Sequence, residues 1–119
     1  SRKMGKNVVE IQLKVGLSSL LKEQMQDVLI AYEPVWAVGA ESCASNDYIL
    51  GMATCIRKTI AELYDTETAS KVRILYGGSV NSESVKQLLN LQELDGFLIG
   101  RASQKASSFF GIAEQIALV

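Results

Sequence analysis

In "AYEPVWAVGAES" (31–42), Glu33 stands directly before the chain's one proline, Pro34. A carboxylate shielded from water is a competent base toward a C–H next to a carbonyl. The plain alternative is a polar residue leaving a strand and bonded to neighbouring backbone. Two glycine turns offer a second kind of chemistry, Gly77-Gly78-Ser79 and Gly100-Arg101. Glycine lets backbone N–H groups approach an anion, and a helix start behind the turn favours negative charge. Either turn alone is a weak signal, because ordinary turns use the same residues. Together they suit one phosphate, that of a small sugar phosphate or of a mononucleotide. Between Glu33 and the next helix run twelve residues, 34–45, against the about 2–6 usual in such units. Gly39 supplies a flexible point, and Trp36 and Val38 supply apolar weight. The stretch therefore reads as a lid, or as a surface loop anchored by a buried tryptophan.

These residues need elements to hold them. Asn7 and Glu10 resemble a capping box, followed by Val8, Ile11, Val15, Leu17, Leu20 and Leu21 at roughly helical spacing. "VLIAY" (28–32) predicts a strand stopped by Glu33-Pro34, and the residue before a proline favours extended geometry. Glu33 is thus expected at the strand's last position. A helix begins near Ser45, with Ile49, Met52, Ala53, Ile56, Ile60, Leu63 and Tyr64 on one face. "VRILY" (72–76) and "GFLIG" (96–100) predict two further strands. Val85, Leu88 and Leu89 mark the helix between them, and Phe109, Ile112, Ala113 and Ile116 mark the last helix. Short apolar strands alternating with amphipathic helices predict an α/β fold of three parallel strands with four helices. In parallel folds ligands gather at the carboxyl ends of the strands, where Glu33 and both glycine turns fall. A three-stranded sheet with two open edges, entered from a helix, reads as part of a larger architecture.

Composition narrows the function classes. The 119 residues are 48% apolar with a net charge of −1, which suits one globular segment and gives no net attraction to nucleic acid. The basic start "SRKMGK" reads as a solvated end. No run approaches a membrane span and no signal-peptide core is present, so the cytoplasm is the expected compartment. Cys43 and Cys55 in a chain without histidine do not make a zinc site, and idle thiols are expected. Any imidazole needed for acid–base work must come from outside these residues.

"AYEPVWAVG", "YGGSV" and "DGFLIG" occur in an order and spacing that resemble the triosephosphate isomerase family, over essentially the whole chain. The opening "MGKN" and its helix share in that likeness. The resemblance implies the C-terminal half of an eight-stranded β/α barrel, residues 1–119 forming one segment of a domain of roughly 250 residues whose N-terminal half lies ahead of Ser1. It implies interconversion of glyceraldehyde 3-phosphate and dihydroxyacetone phosphate, with Glu33 moving the proton through an enediolate. Loop 34–44, including Pro34 and Trp36, resembles the lid. Backbone N–H groups of Gly39, Ser79, Gly100 and Arg101 match the phosphate grip, and Tyr76 and Ser79 match residues that hold the closed lid. No metal or organic cofactor is implied, and the complete enzyme is expected to be a homodimer.

Two departures stand out. The family's lid usually continues Gly-Thr-Gly-Lys, whereas this chain reads Gly39-Ala40-Glu41-Ser42; Arg101 replaces a glycine common in that turn. The family's electrophilic histidine and substrate-binding lysine belong to the other half, so this chain alone is expected to be inactive. The competing expectation is a non-catalytic half-barrel that binds phosphate or pairs with itself. A different sugar-phosphate barrel enzyme is argued against by "YEPVWAVG".

Overall fold

The computed structural model describes residues 2–34 and 44–118. Helix α1 (Arg2–Gly16) leads through a 3-10 helix (Lys22–Asp27) into strand β1 (Leu29–Tyr32). Helices α2 (Asn46–Leu63) and α3 (Thr66–Lys71) precede strand β2 (Arg73–Gly77). Helix α4 (Ser82–Leu88), strand β3 (Gly96–Leu98) and helix α5 (Ala106–Ala117) complete the order. The strands form one parallel sheet in the order β1-β2-β3. This is the expected α/β plan, with five α-helices among the described residues against the four helices expected.

The additional helix has a local cause. Asp65 interrupts the long amphipathic run and caps α3 by accepting the Thr68 N–H at 2.7 Å. The Lys22 ammonium, then the Thr68 hydroxyl and N–H, hold the Asp65 carboxyl well below the usual carboxylate range. Helix α2 begins as expected, with Ser45 as its cap accepting from Tyr48 N–H at 3.2 Å. Its face Ile49, Met52, Ala53, Ile56 and Ile60 is buried. Helix α1 differs from expectation in two ways. It starts ahead of Asn7, which lies within it, and it turns Val9, Leu13 and Leu17 toward the core. Val8, Ile11 and Val15 are exposed. The i, i+4 row 9–13–17 is the one that packs with α2 and Ile74 in the core, so the other apolar row is left exposed.

Two clusters make the core. One gathers Leu13, Leu17, Met25, Ile56, Ile60, Ala69, Val72 and Ile74. The other gathers Ala44, Ile49, Tyr76, Val80, Val85, Leu88 and Ile112, and Tyr32 packs against both. Side chains alternate across a strand, so Ile30, Tyr32, Ile74, Tyr76, Phe97 and Ile99 face the helices. The opposite face carries Leu29 and Ala31, then Arg73, Leu75 and Gly77, then Gly96 and Leu98, paired in that register. Leu29 and Leu98 are 54% and 45% exposed, so these strands are covered on one side only. Of the last helix's expected face only Ile112 is buried. Among the described residues no helix is long and apolar enough to cross a membrane.

Arg57 ties the lower ends of these elements together. Its Nη1 donates to the carbonyls of Ala69 and Val72, and its Nη2 lies 3.6 Å from Asp95 Oδ2. Asp95 in turn accepts from Ile74 N–H at 2.8 Å and donates its own N–H to the Ile74 carbonyl. One guanidinium thus joins α2, the end of α3 and the starts of β2 and β3. Arg57→Met takes the guanidinium from those carbonyls and from Asp95, which keeps only the Ile74 N–H, and is expected to lower unfolding stability by about 2–3 kcal/mol. Denaturant unfolding measures this; a loss under about 0.5 kcal/mol would contradict the role.

Candidate functional site

Strand β1 ends at Tyr32, so Glu33 lies one residue beyond the strand rather than on it. Pro34 behind it is buried, while Glu33 is exposed. The β1–β2 register pairs Tyr32 with Tyr76, which brings Glu33 level with Gly77. Alternation puts Glu33 on the sheet face shared by Leu29 and Ala31, the face the helices leave bare. Its side chain lies across Gly77: a Cβ there would stand 2.8 Å from Glu33 Cγ and 3.2 Å from Cδ. The same arrangement recurs one strand over, where a Cβ on Gly96 would meet Leu75 Cδ2 at 2.9 Å. In both places a long side chain fills the space above a glycine on the adjacent strand.

Past Gly77 the chain turns sharply, with Gly78 at φ 140° and Ser79 at φ 53°. The left-handed region is easy for glycine and costs a serine roughly 1 kcal/mol or more. Val80, buried, anchors the far side of the turn. Asn81 then caps α4 through its Oδ1, which accepts from Glu83 N–H at 3.0 Å and Ser84 N–H at 2.9 Å. On β3 the pair of Gly77 is Leu98. Ser79 and Gly100 therefore each lie two residues beyond that pair, at one end of the sheet. Gly100 accepts from Ser103 N–H at 2.9 Å, and Arg101 opens an exposed 3-10 helix, Arg101–Gln104.

Tyr76 is wholly buried, and its hydroxyl accepts the backbone N–H of Ala44 at 3.2 Å. A strand residue beside the candidate site thus holds the far end of the 34–44 segment. Trp36, Gly39, Glu41 and Cys43 lie outside the described residues. Cys55 is a free thiol on α2. Among the described residues no group of three or more Asp, Glu, Cys and His side chains is gathered as a metal site requires.

Glu33, Ser79, Gly100 and Tyr76 are thus collected from three strand ends that the sequence separates by up to 67 positions, from Glu33 to Gly100. Two participants are not evident from residue type alone. Gly77 reads from the sequence as part of an anion turn, while its missing side chain accommodates Glu33. Ser84 carries a sequence signal, since Asn81-Ser82-Glu83-Ser84 is a capping-box pattern with serine in the last place.

A three-stranded parallel sheet with one bare face and a carboxylate at its carboxyl end defines part of an α/β barrel. A family model for triosephosphate isomerase matches residues 1–116. The triosephosphate isomerase of Dictyoglomus thermophilum is 44% identical over 115 residues, 95% of this chain and 46% of the relative. That of Dictyoglomus turgidum is 46% identical over 113 residues, covering 93% of this chain and 45% of the relative. The triosephosphate isomerase of Geotalea uraniireducens is 46% identical over 102 residues, 86% and 41%. The chain belongs to the triosephosphate isomerase family, and it spans under half the length of these relatives.

Gly77→Ala separates the two uses of that glycine. The added methyl is expected to move Glu33 by at least about 0.6 Å, the gap between 2.8 Å and the 3.4 Å at which ordinary contact begins. Stability is expected to stay within about 1 kcal/mol, since the side chain displaced is exposed. A crystal structure of the variant and a denaturant melt read both. An unmoved Glu33 would contradict the packing described.

Proposed function

We propose that this chain supplies the C-terminal half of a triosephosphate isomerase, the half that carries the base and most of the phosphate grip. The single observation that carries the reading is the position of Glu33. It lies over Gly77 on the uncovered face of the sheet, at the end where the Ser79 and Gly100 turns also emerge. In this reading Glu33 takes a proton from the carbon beside the carbonyl of dihydroxyacetone phosphate. The enediolate left behind passes its hydroxyl proton from one oxygen to the other and receives the carbon proton on the neighbouring carbon, giving glyceraldehyde 3-phosphate. The N–H groups of Gly39, Ser79, Gly100 and Arg101 hold the phosphate, so the reacting carbons lie across Glu33. Segment 34–44 closes over them, with Pro34 and Trp36 in the lid and Tyr76 and Ser79 holding it. Excluding water strengthens each charge interaction inside and keeps the enediolate from side reactions. The bond from Ala44 N–H to the Tyr76 hydroxyl supports the lid assignment.

The N-terminal half of the barrel is the required partner. In this reading the family's carbonyl-polarising histidine, a residue type this chain lacks, belongs to that half. Its strands would cover Leu29, Ala31 and Leu98 and pair with the open edges of β1 and β3. Glycolysis and gluconeogenesis in the cytoplasm, and a homodimer of the completed barrel, follow from the same reading. The bare apolar face also favours a second reading, a half-barrel that buries this surface against a copy of itself and performs no chemistry.

Complementation separates the two. Mixing this chain with the N-terminal half of the Dictyoglomus thermophilum relative is expected to produce isomerase activity that neither piece shows alone. Native mass spectrometry should then show a one-to-one complex. A stable homodimer that ignores the added half and stays inactive would favour the second reading.

A further inference from the structure

The Ser79 turn holds an unfavourable backbone conformation, and a neighbouring hydroxyl is placed to keep it there. Ser84 lies on the first turn of α4, partly buried. Its Oγ accepts the Asn81 N–H at 2.9 Å, which orients its one proton away from that donor. The nearer of two available carbonyls is that of Ser79, at 3.1 Å; the other, of Asn81, is at 3.3 Å. The hydroxyl thus closes a ring of backbone from Ser79 to Ser84. Its acceptor is the carbonyl of the one non-glycine residue at positive φ among those described.

We infer that Ser84 is a positioning residue that locks the Ser79 backbone in its left-handed conformation and so aims the Ser79 N–H at the substrate phosphate. The inference rests on the reading of Ser79 as part of the phosphate grip. Fixing the Ser79 carbonyl fixes the plane of the Ser79–Val80 peptide, and Val80 is held by the core beneath. With that plane set, the Ser79 φ of 53° and its ψ together fix the direction of its N–H. Removing the hydroxyl takes away one hold on this unfavourable conformation, and relaxation toward negative φ swings the N–H away. Ser84 Oγ also completes the α4 capping box by accepting the Asn81 N–H, while Asn81 Oδ1 caps the helix independently through Glu83 and Ser84 N–H. The same grip sets the reacting carbons across Glu33, so loosening it lowers kcat/KM.

The test uses a complete barrel, made by joining the N-terminal half of the Dictyoglomus thermophilum relative ahead of Ser1. Inorganic phosphate is titrated while the Ser79 amide is followed by 15N–1H NMR, in the parent, Ser84→Ala and Ser84→Thr. The parent amide is expected to shift to saturation, and Ser84→Ala to bind phosphate about three- to tenfold more weakly. kcat/KM for glyceraldehyde 3-phosphate should fall by at least a similar factor. Ser84→Thr, which keeps the hydroxyl, should restore both. Equal phosphate affinity in the parent and Ser84→Ala, with the parent amide responding, would overturn the role of Ser84 and leave the phosphate grip standing. So would a weakening that Ser84→Thr fails to reverse. A parent amide indifferent to phosphate would overturn the grip itself, and the role of Ser84 with it.

Discussion

Parallel pairing sets Leu29 against Arg73, Ala31 against Leu75 and Tyr32 against Tyr76, and so carries Glu33 to the level of Gly77. Everything proposed for the site depends on that register and on the absence of a side chain at Gly77. A shift of one residue would send Glu33 to the helix-covered face, among Ile30, Tyr32 and Tyr76. A methyl at 77 would meet Glu33 Cγ at 2.8 Å. The register is held from below by the Arg57–Asp95 cluster, which bonds the starts of β2 and β3, and from the side by the two apolar clusters.

One core cluster underlies both Ala44, just after segment 35–43, and the Ser79 turn. Ala44 and Val80 belong to one cluster with Tyr76 between them. Ala44 ends the segment that follows Glu33, and Val80 ends the turn that presents Ser79. Tyr76 reaches Ala44 through its hydroxyl, and the strand that bears it runs directly into Gly77 and Gly78. Buried packing of this kind resists small displacements, so the two ends are held at fixed separation. The exposed parts of the site, Glu33, Gly100 and Arg101, are carried on this base rather than built into it.

Much of the architecture was legible because strand and helix periods differ. "VLIAY", "VRILY" and "GFLIG" are short apolar runs, and the row from Ile49 to Ile60 repeats at helical spacing. The helix Thr66–Lys71 was not legible, since its six residues, TETASK, hold no apolar row and only the Asp65 cap marks its start. The outward turn of Val8, Ile11 and Val15 was also hidden. Helical spacing shows which residues share a face, and only tertiary neighbours show whether that face is covered. At the site, Glu33-Pro34 and the glycine turns could be read from residue type. The approach of Glu33 to Gly77 and the Ser84–Ser79 bond could not, because each depends on register or on a backbone angle set by the fold.

The central claim is that Glu33 moves the proton. Its most direct test is solvent exchange in a barrel completed with the N-terminal half of a relative. Dihydroxyacetone phosphate is incubated in heavy water and followed by proton NMR for deuterium uptake at the carbon that loses its hydrogen. Parent protein is predicted to incorporate deuterium, and Glu33→Gln to do so about 10²–10⁴-fold more slowly while still binding the substrate. Exchange at the parent rate in Glu33→Gln, with binding intact, would contradict the account.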